Sequence, residues 1–151
     1  MLNNTEILFA FLQKNSIYFE ELTPQEVECF KLEWFDKFVP VDKREEARKC
    51  YCFDNDGCCG YLWHVFSYEI LNCHTKYVAN EQFDNTEKHE AILLLNIDET
   101  AYRIKDTSKL TAKDFEILYD AILTDCDFNW TYVKTHEELQ CGPYFFSTRA
   151  V

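Results

Sequence analysis

Glycine and proline are scarce in this sequence, with three of each among 151 residues. Chains that stay disordered are usually rich in these residues and poor in aromatic ones. Here 47% of the residues are hydrophobic and 17% are aromatic, so the burial of apolar surface can offset the entropy lost on ordering. Since no low-complexity run or Gly/Ser-rich linker interrupts the chain, the sequence predicts one folded domain over residues 1–151.

Long apolar runs are also lacking, and none approaches the roughly 18 residues that a membrane-spanning helix needs. The N-terminal stretch MLNNTEILFAFLQKN shows neither the basic start nor the small-residue cleavage site of a signal peptide. We therefore expect a cytoplasmic protein with no membrane partner. In that compartment the eight cysteines should be reduced thiols rather than four disulfides.

Basic residues are few, with 15 lysines and arginines against 27 aspartates and glutamates. The formal net charge is −12, and the acidic excess is spread along the chain rather than gathered in a tail. A field of this sign repels nucleic-acid phosphates and anionic membranes and attracts basic proteins. We therefore expect a basic or nucleic-acid-active protein as the partner, and no binding of nucleic acid.

Motifs that hold nucleotides or metals are missing as well. The sequence has no glycine-rich phosphate loop, which excludes nucleotide chemistry of the P-loop and Rossmann kinds. Structural zinc sites usually pair their ligands as C-x-x-C, and neither this spacing nor H-x-x-x-H occurs. The sequence thus predicts no cofactor and no metal, and a metal site stays in consideration only at Cys58, Cys59, Cys73 and His74.

The hydrophobic pattern predicts helices and strands in an irregular order. Helices are expected at residues 4–14, 24–38, 42–49, 76–83 and 112–118, the second behind a capping box of Thr23 and Glu26. Strands are expected at 16–22, 61–70, 91–97, 101–105, 129–136 and 143–148, while 119–125 fits either type. Without a strict βαβ rhythm, this order predicts an α+β fold with a mixed or mainly antiparallel sheet and helices packed mostly on one face.

Histidines are the candidates for catalysis. His136 ends a predicted strand beside a loop, where functional residues are common, whereas His64 lies inside a predicted strand. With His64 or Glu137 for proton transfer, or Cys141 as a nucleophile, His136 could serve a small hydrolase or transferase. The alternative is that His64 is a hydrogen-bonded structural histidine and that the cysteines are buried thiols.

Aromatic and acidic residues are interleaved at 125–132, in the run DCDFNWTY. Such a mixture suits a surface that holds a basic partner through aromatic anchors and charge steering. The predicted partner-binding residues are Trp130, Tyr132, Asp125, Asp127 and Glu138. The alternative is that Trp130 and Phe128 are core residues of a strand.

Two segments, CCGYLWHVFSYE at 58–69 and FNWTYVKTHEELQCGPYF at 128–145, resemble the hallmark stretches of a small bacterial family. That family is described only as a domain of unknown function. The resemblance implies a compact, bacterial-type cytoplasmic protein and carries no mechanism or catalytic residue.

The acidity, the aromatic content and the absence of a complete catalytic signature together favour a non-catalytic binding protein. We expect it to block another macromolecule, as an immunity or antitoxin-like inhibitor or a phage counter-defence factor does. The alternatives are the small hydrolase or transferase described above and a small-ligand-binding protein whose aromatic side chains stack on the ligand.

Overall fold

The computed structural model describes residues 3–49, 62–95, 100–118, 120–135 and 142–148. Its helices are α1 (Asn4–Lys14), α2 (Pro24–Phe38), α3 (Arg44–Ala47), α4 (His64–Ser67) and α5 (Lys76–Asn85), with short 3-10 helices at Val41–Lys43 and Ala112–Phe115. Its strands are β1 (Phe19–Glu21), β2 (His74–Thr75), β3 (Ala91–Leu95), β4 (Thr100–Ile104), β5 (Ala121–Asp125), β6 (Trp130–Lys134) and β7 (Tyr144–Ser147). Among these helices, none combines the length and apolarity needed to span a membrane.

The seven strands form one sheet in the order β1-β4-β3-β5-β6-β7-β2, and every neighbouring pair is antiparallel. Strand β3 lies between its two partners, with Leu93 opposite Tyr102 of β4 and Leu123 of β5. The two shortest strands, β1 and β2, form the edges. The predicted α+β fold with an antiparallel sheet is confirmed.

Helices cover both faces of the sheet. On one face, Ile92, Leu94, Ile122 and Val133 pack in a cluster with residues of α2, α3 and α4. On the other face, Leu93, Leu95, Leu123 and Tyr132 pack with residues of α1, α5 and the 3-10 helix at Ala112–Phe115. The prediction of helices mostly on one face is therefore wrong. Because successive side chains of a strand point to opposite faces, the AILLL run of β3 is apolar on both sides and needs two covering layers.

Helix α2 begins where the sequence predicts. The Thr23 Oγ1 atom accepts a hydrogen bond from the Glu26 N–H at 3.2 Å, and the Glu26 carboxylate accepts one from the Thr23 N–H at 2.9 Å. The hydrogen bond from the Thr23 backbone, and after it the interaction with the Thr23 side chain, holds the pKa of the Glu26 carboxyl below its usual value. The helix then buries Phe30, Trp34 and Phe38 at helical spacing against the sheet.

Residues 61–70 are the segment where the predicted type is wrong. In place of a strand, the part from Leu62 onward contains helix α4 and turns. Its buried residues, Leu62, Trp63, Val65, Phe66 and Ile70, do not alternate as they would in a strand that is exposed on one face. The aromatic and β-branched content of this segment favours a strand. In the structure Phe66 is instead part of helix α4 and packs against Trp34 of α2, with ring centroids 6.0 Å apart.

Several predicted helices and strands have the predicted type but differ from the prediction in length. Strand β1 has three residues where 16–22 was expected, and the helix predicted at 112–118 is a 3-10 helix that ends at Phe115. The segment 42–49 divides between a 3-10 helix and α3. From Ala121, the ambiguous segment 119–125 is a strand.

Candidate functional site

A groove of about 430 Å³ lies between the first half of α2 and the sheet, and we name it the α2 groove. Its floor is apolar and consists of buried side chains: Leu22, Phe30, Ile92 and Phe128. Its rim on α2 is polar and exposed, with Gln25, Glu26, Cys29 and Glu33. The groove therefore offers an apolar base inside an acidic border.

The chain around this groove is strongly acidic. Residues 20–36 include six carboxylates, of which Glu26 and Glu33 line the groove. We name the whole set the acidic rim: Glu20, Glu21, Glu26, Glu28, Glu33 and Asp36. The single basic residue of that stretch, Lys31, is buried. Asp36 pairs with Arg44 at 3.0 Å, whereas the side chains of Glu21 and Glu33 have no hydrogen-bond or ion-pair partner among the described residues. The carboxylates of residues 20–36 therefore outnumber their exposed cations.

Arg103 of β4 is the cation that lines the groove, and carboxylates hold it. Its Nη1 atom lies 3.3 Å from the Glu90 carboxylate, and its Nε atom lies 3.9 Å from the Glu20 carboxylate. Nη1 also lies 3.6 Å from the Cys126 sulfur. Burial, followed by the Glu90 charge, raises the pKa of the Cys126 thiol to about 11, so the sulfur stays neutral at physiological pH.

The aromatic residues predicted to contact a partner lie in the core. Trp130 and Tyr132 are buried, and the Tyr132 hydroxyl donates a hydrogen bond to Asn80 Oδ1 at 2.6 Å. Both face the layer that contains α5, so the prediction of an exposed aromatic surface is wrong for them. Asp125 is buried and accepts hydrogen bonds from the Asn129 backbone and side-chain nitrogens, at 3.1 and 2.9 Å. Asp127 is exposed, and Glu138 lies outside the described residues.

Of the predicted catalytic residues, the structure describes His64. The other three, His136, Glu137 and Cys141, lie outside the described residues. His64 is half-buried between the rings of Trp63 and Tyr68, with centroids 4.3 and 5.3 Å away. Its Nδ1 atom lies 3.2 Å from the Ser67 hydroxyl oxygen, one turn along the chain.

The residues weighed for a metal site are divided between described and undescribed parts of the chain. Cys58 and Cys59 lie outside the described residues, whereas Cys73 is half-buried and His74 is exposed. Burial raises the pKa of the Cys73 thiol to about 12, which disfavours the thiolate that binds metals. Within the part of the chain that the structure describes, no group of three or more His, Cys, Asp or Glu side chains could hold a metal ion.

A second cavity, of about 480 Å³, lies between α4, the segment 69–76 and β7, and we name it the α4–β7 cavity. Phe66, Ser67 and Glu69 line it from the segment 58–69, and Gly142 and Tyr144 line it from the segment 128–145. The two segments that carry the family resemblance therefore meet at this cavity.

The sequence held a signal for the α2 groove that its overall charge obscured. Six carboxylates and one lysine within residues 20–36 form a local concentration, while the net charge of −12 describes the whole chain. The helical spacing of Phe30 and Trp34 also defines the buried face of α2, and Glu33, three residues after Phe30, lies at the exposed border of that face. For Glu69 and Lys76 at the second cavity no signal of this kind existed, because their proximity depends on the packing of distant segments.

The fold defines an α+β protein with one antiparallel sheet between two helical layers, an acidic groove on α2 and a cavity beside β7. The chain belongs to the family described as Domain of unknown function (DUF4275), whose model matches residues 7–145. The predicted membership of an uncharacterised domain family is thereby confirmed. Neither a curated protein nor a solved structure matches the chain.

Proposed function

We propose that this protein is a non-catalytic inhibitor that binds a basic protein through the α2 groove and its acidic rim. The observation that carries the proposal is an apolar floor lined by the carboxylates of Glu26 and Glu33, on a stretch, residues 20–36, that holds six carboxylates and one basic residue, which is buried. A basic partner that acts on nucleic acid would meet here a surface of the same sign as phosphate. By competing with nucleic acid for that partner, the protein would act as an immunity or antitoxin-like inhibitor or as a phage counter-defence factor.

The groove suits lysine and arginine side chains in particular. These residues carry a long apolar stem and a charged head, and they bury the stem while the head stays in a polar environment. Phe30 and Phe128, with ring centroids 6.1 Å apart, provide an apolar base for the stem. The exposed Glu33 carboxylate at the rim, which has no partner in the described structure, supports the charged head.

The acidic rim is tested by neutralising three of its carboxylates in the triple variant Glu21→Gln/Glu33→Gln/Asp36→Asn. The partner is captured by crosslinking in the native host and purified, and its association rate is measured by surface plasmon resonance at low and moderate ionic strength. We expect a basic protein whose association slows in salt, and a decrease of about tenfold in the association rate with the triple variant.

The matched control is Glu81→Gln/Glu87→Gln/Glu116→Gln, which removes the same charge from exposed positions on or beside α5 and the 3-10 helix at Ala112–Phe115. We expect this control to keep the association rate within about twofold, since rate enhancement by charge is local to the docking surface. Equal losses in both triple variants, an acidic partner, or association that salt does not slow would contradict the proposal. The acids of β1 would then serve to protect the edge of the sheet from pairing.

The second candidate is a small hydrolase or transferase, and one contact favours it. The Ser67 hydroxyl lines the α4–β7 cavity and lies 3.2 Å from His64 Nδ1, as a nucleophile lies beside its base. Ser67 would attack an ester carbonyl while its proton passes to His64, which gives the proton to the leaving alcohol. A water molecule, deprotonated by His64, would then attack the acyl-serine, release the acid and restore Ser67. We expect Ser67→Ala to lower the hydrolysis of p-nitrophenyl acetate by about a hundredfold or more, and the exposed control Ser108→Ala to leave it unchanged. Unchanged hydrolysis by Ser67→Ala would eliminate this candidate.

A further inference from the structure

The α4–β7 cavity has the dimensions and the lining of a small-molecule site. Its volume of about 480 Å³ falls within the range of roughly 300–1,000 Å³ that such sites occupy. Phe66, Leu71 and Tyr144 are buried and give it an apolar wall, in which the rings of Phe66 and Tyr144 lie 5.6 Å apart. Polar side chains, among them those of Ser67, Asn72 and Thr75, lie along the remaining wall.

Two opposite charges line this cavity without pairing. Glu69 lies directly after α4 and Lys76 is the first residue of α5, and both side chains are exposed. Neither makes a hydrogen bond or ion pair with its side chain among the described residues, so the carboxylate and the ammonium do not neutralise each other. A cavity with one free anion and one free cation is complementary to a molecule that carries both charges.

The backbone holds these two residues in conformations that glycine usually adopts. The φ angles of Glu69 and Lys76 are 58° and 56°, and that of Gly142 on the opposite wall is 81°. Three of the five residues with positive φ in the described structure therefore line this one cavity. At Glu69 the left-handed conformation also ends α4, since the Glu69 and Ile70 N–H groups donate to the Phe66 and Val65 carbonyls as at many helix C-termini. Left-handed residues other than glycine are unfavourable and are frequent at functional sites.

Hydrogen bonds fix the backbone at the two charged residues. The N–H groups of Ile70 and Leu71 both donate to the Val65 carbonyl at 3.0 Å, which sets the turn that contains Glu69. The Lys76 N–H donates to the Pro143 carbonyl at 3.0 Å, and Thr75 pairs with Tyr144 in the sheet. The backbone positions of both residues are thus set before any ligand arrives, and their exposed side chains can turn toward it.

We propose that the α4–β7 cavity binds a small zwitterion with an apolar side chain, of the amino-acid type. Its ammonium group contacts Glu69, its carboxylate contacts Lys76, and its side chain packs on Phe66 and Tyr144. A zwitterion has no net charge, so the negative field of a chain with net charge −12 does not repel it as it repels an anion. This site shares no lining residue with the α2 groove, and it stands or falls independently of the proposed inhibitory function.

The test is isothermal titration of the purified full chain with each of the twenty L-amino acids. L-phenylalanine is then compared with phenethylamine, which lacks the carboxylate, and with hydrocinnamate, which lacks the ammonium. We expect L-phenylalanine to bind, and Glu69→Gln and Lys76→Gln each to weaken its binding by about tenfold. Lys76→Gln should leave phenethylamine binding unchanged, and Glu69→Gln should leave hydrocinnamate binding unchanged.

The matched controls are Glu81→Gln and Lys37→Gln, which remove the same charges from exposed positions outside the cavity. Neither control should change the affinity for L-phenylalanine. An independent measurement on the wild-type chain is the change in backbone amide chemical shifts on titration, which should be concentrated at residues 66–76, Gly142 and Tyr144. The proposal is overturned if no amino acid binds, if the shifts fall elsewhere, or if the two cavity variants bind as the controls do.

Discussion

Replacement of Trp34 by alanine is expected to lower the free energy of unfolding by about 4 kcal/mol, within the usual range for a buried tryptophan. Its side chain has 0% exposure and packs against Phe38 and Phe66, with ring centroids 5.2 and 6.0 Å away. Its Nε1 atom also donates a hydrogen bond to Thr131 Oγ1 at 3.1 Å. The substitution therefore leaves a cavity between α2 and the sheet and removes a buried hydrogen bond. Urea unfolding followed by circular dichroism measures the effect.

The control for Trp34 is Leu32→Ala on the same helix, where the side chain is 47% exposed. Its effect should stay within about 0.5 kcal/mol, as for most surface positions. Trp34→Phe separates packing from hydrogen bonding, and we expect it to lose about 1–2 kcal/mol. In Trp34→Phe, Thr131 Oγ1 still has the Thr124 hydroxyl as a hydrogen-bond partner at 3.0 Å. The decrease in the free energy of unfolding should therefore be smaller than in Trp34→Ala. Equal effects of Trp34→Ala and Leu32→Ala would show that α2 does not pack on the sheet as described.

Replacement of Phe83 by alanine is expected to lower the free energy of unfolding by about 3–4 kcal/mol from the other side of the sheet. Phe83 of α5 has 0% exposure and is stacked on Tyr132, with centroids 4.2 Å apart and planes 15° apart. Its edge contacts with Phe115 and Trp130 both have centroid distances of 5.7 Å. The substitution removes the central ring of this layer, and urea unfolding again measures the loss.

The control for Phe83 is Tyr77→Ala, because Tyr77 is on the same helix and is 77% exposed. We expect this control to change the free energy of unfolding by less than about 0.5 kcal/mol. The milder double variant Trp34→Phe/Phe83→Leu should lose the sum of its two single effects, since the residues pack on opposite faces of the sheet. A small effect of Phe83→Ala would mean that the α5 layer is not a core.

The two proposals concern different parts of one face of the sheet. The α2 groove and the α4–β7 cavity are lined by separate residues, while Phe30, Phe66, Phe128 and Tyr144 belong to one hydrophobic cluster. The variants that test either proposal change exposed charges and leave that cluster intact. Each set of substitutions can therefore fail without affecting the result of the other.

Local sequence signals correctly predicted the helices and strands whose ends or periodicity are marked by neighbouring residues. The Thr23–Glu26 capping box placed the start of α2, and the apolar periodicity of α1 matched its extent at Asn4–Lys14. The strands predicted at 91–97 and 101–105 correspond to β3 and β4, at Ala91–Leu95 and Thr100–Ile104. These predictions succeeded because the interactions that decide them lie within a few residues of one another.

Signals that depend on distant neighbours were read wrongly. Trp130 and Tyr132 were expected at a surface, but the α5 layer covers them, with Phe83 of α5 stacked on Tyr132. Residues 61–70 have the composition of a strand but contain a helix at His64–Ser67. Aromatic and β-branched residues favour a strand only where they pack on a sheet surface, and the sequence does not show what this segment packs against.

The sequence by itself determined the acidity, the α+β alternation of periods, the capping of α2 and the concentration of carboxylates at 20–36, all of which are properties of adjacent residues. Only the tertiary structure decided that both faces of the sheet are covered, that an apolar floor lies beside those carboxylates, and that Glu69 and Lys76 share a cavity with Gly142 and Tyr144. The physical reason is that hydrophobic burial is non-directional: a pattern of apolar residues states how much surface must be covered, and chain packing selects what covers it.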